Sequence, residues 1–287
     1  MNYLRHFGLR ETPFGITPDT SFFCACRSAQ EALNTLLVAV GNGEGFIKIT
    51  GEVGTGKTLL CRKFLATLDS GWVSAYIPNP SIEPRTLLLE LAEELGVQVD
   101  PGADQHYLLK GITRTLLGLA RQRKRVVLCM DESQAMPIET LEALRLLTNL
   151  ETEKRKLLQV VLFGQPELDR KLASESIRQL RQRITFQYDL KALAENEVGA
   201  YVNHRLTVAG YVGQPLLSTR ALRTLHRASR GLPRLVNILT HKALLLAFGE
   251  GGYRVEPRHV RAAAHDTPAA ASTRWWWLRL RSPRVAD

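Results

Sequence analysis

Five short apolar runs alternate with helix-period stretches as far as Leu190, and beyond that point only helix-period stretches remain. Phe46 to Thr50, Trp72 to Ile77, Val126 to Met130, Leu157 to Phe163 and Ile184 to Tyr188 are short and rich in β-branched or aromatic residues, so they read as strands. Ala32, Leu33, Leu36, Leu37 and Val40 make an apolar stripe that ends at Gly41, with Ser28 and Glu31 placed as an S-x-x-E capping box at its start. After the first strand, Leu59, Leu60, Phe64 and Leu65 fall at helical spacing. Pro84 to Leu95 reads as a helix closed by Gly96, and another runs from about Gln105 to Gln122. A helix carrying Arg178, Arg181 and Arg183 leads into the last strand.

The later helices are predicted over Glu195 to Ala209, Ser218 to Ala228, Pro233 to Phe248 and Glu256 to Ala264, with Gly210, Gly213, Gly231 and Gly249 between or after them. The fold class expected is α/β, a parallel sheet flanked by helices, followed by a smaller all-helical domain. Residues 1–27, with Phe7, Phe14, Phe22 and Phe23 among Gly8, Pro13, Gly15 and Pro18, read as an ordered arm rather than a helix. The boundaries predicted are an arm over 1–27, an α/β domain over 28–190, a helical domain over 191–266 and a tail over 267–287.

Length and composition narrow the picture only in part. The chain has 287 residues, 45% hydrophobic and 23% charged, which suits a soluble globular protein with a main and a smaller domain. A net charge of +10 and a sequence pI near 9.7 bring nucleic acid and acidic membrane faces into consideration, beside the plainer reading that arginines serve a phosphate site and wet surfaces. Cys24, Cys26, Cys61 and Cys129 form no disulfide framework, and no second C-x-C pair completes a zinc site, so a reduced cytosolic compartment is expected. Cys61 and Cys129 fall in apolar patterns and read as core thiols. No signal peptide and no membrane-spanning stretch is evident.

The candidate chemistry lies at the strand ends. Gly51-Glu52-Val53-Gly54-Thr55-Gly56-Lys57-Thr58 matches G-x-x-x-x-G-K-[ST] and sits between a strand and a helix, the context that a phosphate-binding loop needs. Glycines leave room for backbone amides to surround phosphate oxygens, and the helix beginning near Lys57 turns its positive end to the same point. The ligands expected are ATP and Mg²⁺, with Lys57 on the β- and γ-phosphates and the Thr58 hydroxyl on the metal. Val126 to Met130 runs into Asp131-Glu132, which a parallel sheet places at the carboxyl edge beside the loop. Asp131 is expected to hold Mg²⁺ through water, and Glu132 to orient the water that attacks the γ-phosphate. Gln165, ending the next strand, can reach toward the γ-phosphate or that water, or it is a simple turn residue. Arg234 stands in the first turn of a helix, an unfavourable place for a cation unless something anionic faces it. Arg121, Arg123, Lys124 and Arg125 form a basic run at a helix C-terminus, read first as a solvated helix end and second as a nucleic-acid patch.

Taken together, these motifs resemble an AAA+ ATPase over residues 28 to 264. More narrowly, Tyr3-Leu4-Arg5-His6-Phe7-Gly8-Leu9 with Pro13-Phe14 and Thr17-Pro18-Asp19, the run Gly43 to Lys48, Phe163 to Leu168, and Gly231-Leu232-Pro233-Arg234-Leu235-Val236-Asn237 resemble the ExeA/GspA secretion ATPases. Within that family the chain looks most like the MshM branch, tied to MSHA type IV pilus biogenesis. The resemblance implies Gln165 at the sensor 1 position and Arg234 at sensor 2. It also implies Arg183 or Arg181 as the finger reaching a neighbour's ATP, a sheet of order 5-1-4-3-2, and self-assembly into a ring or filament. ExeA-type chains continue through a membrane helix into a peptidoglycan-binding region, which this sequence does not include, so peptidoglycan binding is not carried over.

The function expected is ATP hydrolysis in the service of pilus or secretion machinery at the bacterial inner membrane, from the cytoplasm or peripherally on that membrane. The alternative is a DNA-associated ATP switch of the transposition-regulator type, although no helix-turn-helix or zinc-finger signature supports nucleic acid as a partner. In the tail, Arg274-Trp275-Trp276-Trp277-Leu278-Arg279-Leu280-Arg281 mixes tryptophan with arginine and reads as an attachment to an anionic membrane surface, against a disordered tail or a protein-docking peptide.

Overall fold

A computed structural model describes residues 3–98, 102, 104–152 and 155–270. The tail expected from residue 267 lies outside the described residues from position 271 onward. The chain divides into two compact units, Arg27–Lys191 and a second one combining the residues before it with those after it.

In the first unit, strands β1 (Phe46–Thr50), β2 (Trp72–Ile77), β3 (Arg125–Met130), β6 (Gln159–Gly164) and β7 (Ile184–Asp189) form one parallel sheet in the order β2-β3-β6-β1-β7. Counting only these five in chain order gives 5-1-4-3-2, the order that the resemblance implies. β1 and β6 lie in the middle of the sheet and are buried at every position, which is why they read as continuous apolar runs rather than alternating ones. β7 alternates half-buried and exposed residues, as an edge strand does. Helices Pro84–Glu94, Gln105–Arg121 and Ile138–Leu147 bury Leu87, Leu88, Leu91, Leu108, Ile112, Leu116, Leu141, Leu144 and Leu147 in a core shared with Val126, Leu128, Val160 and Leu162.

Three local expectations need correction. Ser28 and Glu31 do not cap a helix, because the helix starts one residue earlier, over Arg27–Asn42. Instead the Ser28 hydroxyl accepts from the Lys191 amide at 2.8 Å, and Glu31 accepts from the Tyr188 hydroxyl at 2.8 Å, so both side chains tie this helix to the end of β7. The helix Ile138–Leu147 and a small antiparallel hairpin, β4 (Glu151–Thr152) with β5 (Arg155–Lys156), fill a stretch for which the pattern gave no element. The arm holds a short helix, Tyr3–His6, and a single 3₁₀ turn, Thr20–Phe22.

In the second unit, helices Glu195–Val208, Thr219–Ser229, Pro233–Gly249 and Pro257–His265 close around a core that includes Phe7, Leu9, Phe14 and Phe22 from the arm. Burying a phenylalanine contributes about 1.5–3 kcal/mol, so these aromatics hold the arm in place. Polar contacts fix its path. The Arg10 amide donates to the Ala209 carbonyl at 2.8 Å, and the His6 ring stacks on Tyr253 with centroids 4.3 Å apart.

Candidate active site

The glycine loop runs from the end of β1 to the helix Lys57–Thr67. Gly54 and Gly56 have φ of 85° and 99°, a backbone region closed to most residues with a Cβ. Gly56 is the N-cap of the helix and offers no capping side chain, so the first amides stay free for an anion. Lys57 is buried at 6% exposure, and its Nζ donates to the carbonyls of Gly51 at 2.7 Å and Glu52 at 3.0 Å. Burial holds its pKa below the ordinary lysine value, against the opposing pull of Glu132, Asp131, Glu52 and Glu167. A buried ammonium held only by loop carbonyls is one that a phosphate oxygen can engage.

β3 delivers Asp131 to the same edge. The Thr58 hydroxyl donates to Asp131 Oδ2 at 2.6 Å, and the Glu132 amide donates to Oδ1 at 2.9 Å. Burial raises the Asp131 pKa, and the hydrogen bonds from Thr58 and Glu132 only partly oppose it. Tyr76, its hydroxyl 3.5 Å from Oδ2, has its own pKa pushed up to about 12, by burial first and by the Asp131 charge second. Thr58 and Asp131 therefore offer adjacent oxygen donors, one an under-compensated carboxylate, which is the donor set that a hard cation such as Mg²⁺ takes.

Protonation of Asp131 sets the sign of a pH effect. Because its folded pKa lies above the unfolded value, its contribution to stability is full below the unfolded pKa and is lost as pH rises through the folded one. At neutral pH the ionised carboxylate thus weighs against the nucleotide-free fold. Asp131→Asn is expected to raise the melting temperature of nucleotide-free protein at neutral pH by roughly 2–4 °C for each kcal/mol relieved. The gain should shrink at acid pH, and a thermal scan at both pH values checks it.

Glu132 has φ 49° and ψ 35°, a left-handed conformation that costs a non-glycine residue about 1–3 kcal/mol. Its carboxylate Oε2 accepts from Gln165 Nε2 at 3.0 Å and from Gln134 Nε2 at 2.5 Å. Gln134 also accepts, through Oε1, from the Gln165 backbone amide at 3.0 Å. Glu132 and Gln165, paired only as expectations from sequence, are thus brought into one network, with Gln134 as its bridge. No motif position marks Gln134. The one available signal was a second amide side chain two residues beyond the acidic pair. Gln134→Ala removes both bridging bonds, and a hydrogen bond to a charged group is worth about 1.5–3 kcal/mol. Hydrolysis is expected to fall on the order of 10-fold or more with nucleotide affinity unchanged, as turnover and titration would read; equal loss of both would count against the bridge.

The arginines are placed differently. Arg183 donates to the carbonyl of Arg145 at 3.2 Å and to Asn149 Oδ1, tying β7's approach to the end of the helix Ile138–Leu147. Arg181 is exposed, and its side chain makes no hydrogen bond or ion pair among the described residues. Arg234 belongs to the second unit, exposed in the first turn of the helix Pro233–Gly249 and without a carboxylate partner among the described residues.

Residues 40–172 match a family model described as an AAA domain. The General secretion pathway protein A of Aeromonas hydrophila is 42% identical over 274 residues, which make up 96% of this chain and 50% of that protein. The chain therefore spans about half the length of this curated relative. Solved structures of similar fold include Cdc6p from Pyrobaculum aerophilum, with TM-score 0.66 and 16% identity over 92% of this chain and 74% of that one. The ORC2 protein of Aeropyrum pernix, in ADPNP-ADP complexes, gives TM-score 0.63 and 19% identity over 87% of this chain and 69% of that one. Identities this low carry the fold alone. The chain accordingly has the P-loop AAA+ fold, with an AAA domain matched over residues 40–172, and along nearly its whole length it is similar to General secretion pathway protein A.

Proposed function

We propose that this protein couples ATP hydrolysis to assembly of an MSHA-like type IV pilus or a secretion machine at the bacterial inner membrane. The observation that carries this reading is the 42% identity with General secretion pathway protein A, which extends beyond the ATPase core into both the arm and the helical unit. The residue likeness in the arm and in Gly231-Leu232-Pro233-Arg234 supports the ExeA/GspA part of the reading, and the narrower MshM assignment rests on resemblance within that family.

In this reading the amides of residues 52–58 cradle the phosphates, and Lys57 bridges the β- and γ-phosphates. Thr58 and Asp131 would hold Mg²⁺, which when bound neutralises charge on the phosphate oxygens. Glu132 accepts the proton of the attacking water, positioned by Gln165 and Gln134, and so acts on the step that cleaves the γ-phosphate. The resemblance assigns Arg234 the sensor 2 role.

Of the two arginines that the resemblance offers as the finger, the role falls to Arg181 ahead of Arg183. Arg183 is engaged with carbonyl and amide oxygens of its own domain, whereas Arg181 is exposed and free to reach a neighbouring copy. A finger supplied in trans is worth about 10³–10⁵ in turnover. Arg181→Ala is expected to lose activity alone and to recover part of it when mixed with Glu132→Gln protein, as mixing titrations would show. No recovery at any ratio would argue against shared sites.

The test of the wider reading is in cells that carry the gene. Its disruption should abolish surface pili or secretion, with restoration by the wild type and not by Glu132→Gln. Normal pili and normal secretion in the disrupted strain would sink the proposal. With a net charge of +10, duplex DNA is the competing partner, and salt-sensitive DNA binding by a protein with no such phenotype would favour the DNA-associated switch.

A further inference from the structure

Cys24-Ala25-Cys26 ends the N-terminal arm, and Cys26 is the last residue before the chain enters the helix Arg27–Asn42. Both cysteines are half-buried and pack against the core of the helical unit, in a segment with no helix or strand. Their Sγ atoms stand 2.8 Å apart. That is closer than the roughly 3.5–4.0 Å at which even two carbons rest in contact. A shift of less than about 1 Å brings the sulfurs to the bonding distance of about 2.03–2.05 Å.

The two thiols are not equivalent. Cys24 is held below the ordinary thiol pKa, first by the hydrogen bond from Cys26 and last by the charge of Arg205, while burial and Glu197 oppose the shift. Cys26 is pushed far up by the same hydrogen bond and by burial. Arg205 is itself unusual, a guanidinium at 5% exposure beneath the arm. It donates to the carbonyls of Pro13 at 2.6 Å and Gly15 at 3.3 Å and to the Tyr201 hydroxyl at 3.1 Å, and it lies 4.8 Å from the Phe22 ring. None of these hydrogen-bond partners carries a negative charge; Asp19 feels the guanidinium, which holds its carboxyl down only as a minor cause after its bonds to Ser21, and the buried cation favours an anion nearby. Close sulfurs, unequal acidity and a buried cation are what a nucleophilic thiol with a resolving neighbour requires. A metal is less well served, because among the described residues no group of three or more His, Cys, Asp or Glu gathers.

We propose that Cys24 and Cys26 form a thiol–disulfide exchange site for small-molecule disulfides of the glutathione type. The Cys24 thiolate attacks one sulfur of the disulfide, forms a mixed disulfide and releases one thiolate, which takes up a proton. Cys26 then gives up its proton and attacks the Cys24 sulfur, so the Cys24–Cys26 bond forms as the second small thiol leaves. Two protein thiols are oxidised, and one disulfide is reduced to two thiols. The product is a closed C-x-C ring at the point where the chain passes from one unit to the other.

The experiment incubates the full-length chain with graded ratios of oxidised to reduced glutathione, quenches with acid, alkylates, and maps peptides by mass. The wild-type peptide bearing both residues is expected to lose two hydrogens and resist alkylation at both positions. Cys26→Ser should instead accumulate a stable glutathione adduct at Cys24, while Cys24→Ser acquires one at Cys26 at least ~10-fold more slowly. Cys61 and Cys129, both fully buried, should alkylate only after unfolding and so report that each variant is folded. Stable wild-type adducts with no internal bond, equal reaction rates at the two positions, or a disulfide that joins two chains would each overturn the proposal.

Discussion

Lys57→Ala abolishes nucleotide binding, whereas Glu132→Gln binds ATP as the wild type does and hydrolyses it about 10²–10⁴-fold more slowly in a single turnover. The contrast follows from where the two side chains end. The Lys57 ammonium is buried at the mouth of the loop, held by two backbone carbonyls and surrounded by the charges of Glu132, Asp131 and Glu52. Alanine leaves those carboxylates facing incoming phosphate with nothing to offset them. Glu132 makes no hydrogen bond to a loop atom among the described contacts; its carboxylate is held by Gln134 and Gln165, and only its charge is felt at Lys57. Replacing it with glutamine keeps size and hydrogen bonding but removes the proton acceptor, a loss that appears only in the transition state. Nucleotide titration and rapid-quench hydrolysis separate the two effects. Normal hydrolysis by the glutamine variant would remove Glu132 from the water-activating role.

The second large effect concerns the fold of the helical unit. Gly231 joins the helix Thr219–Ser229 to the helix Pro233–Gly249 with φ 72°, and a Cβ built there would stand 2.1 Å from the Leu193 carbonyl oxygen. That oxygen is backbone, and Leu193 is fixed in turn because its amide donates to the Gly231 carbonyl at 2.9 Å. Gly231→Ala therefore meets both a left-handed backbone, about 1–2 kcal/mol for a residue with a side chain, and a clash that no rotamer change relieves. The expected destabilisation is on the order of 3–5 kcal/mol, seen in urea or thermal unfolding of the helical unit. A variant within about 0.5 kcal/mol of wild type, the range of an ordinary surface change, would mean that the turn can open without cost. The same turn sets the start of the helix that presents Arg234.

The strands and the loop were legible in the sequence for different reasons, while the order of the strands came only from the family resemblance. Buried parallel strands leave unbroken apolar runs, so β1, β3 and β6 stood out, and Gly51 to Thr58 occupies a pattern in which nearly every position has one chemical use. Asp131 and Glu132 were readable because a parallel sheet sends the ends of neighbouring strands to one edge. Gln134 was not, since its role depends on the left-handed turn at Glu132 and on the end of β6 arriving alongside. Ser28 and Glu31 misled for a related reason: a local capping pattern was taken up by partners on and just after β7, more than 150 residues away. Arg183 likewise found oxygens of its own domain at the end of the helix Ile138–Leu147, a helix whose leucines at 141, 144 and 147 carry a period that went unread.

The helical unit is assembled from both ends of the described chain, and synthesis by the ribosome makes this a matter of time. Phe7, Phe14 and Phe22 are translated first, yet the helices that bury them come only after the whole of Arg27–Lys191. At about 5–20 residues per second, that interval is on the order of ten seconds or more. During it the α/β unit, continuous in sequence, can complete its own core, while three phenylalanines wait without partners. Contacts spanning such a sequence distance also slow folding, because their loop must close before any burial is gained. The nascent arm is thus the segment of this protein with the strongest claim on a chaperone, and shortening the interval by moving residues 1–26 to follow residue 270 should speed formation of the helical unit without altering its final packing.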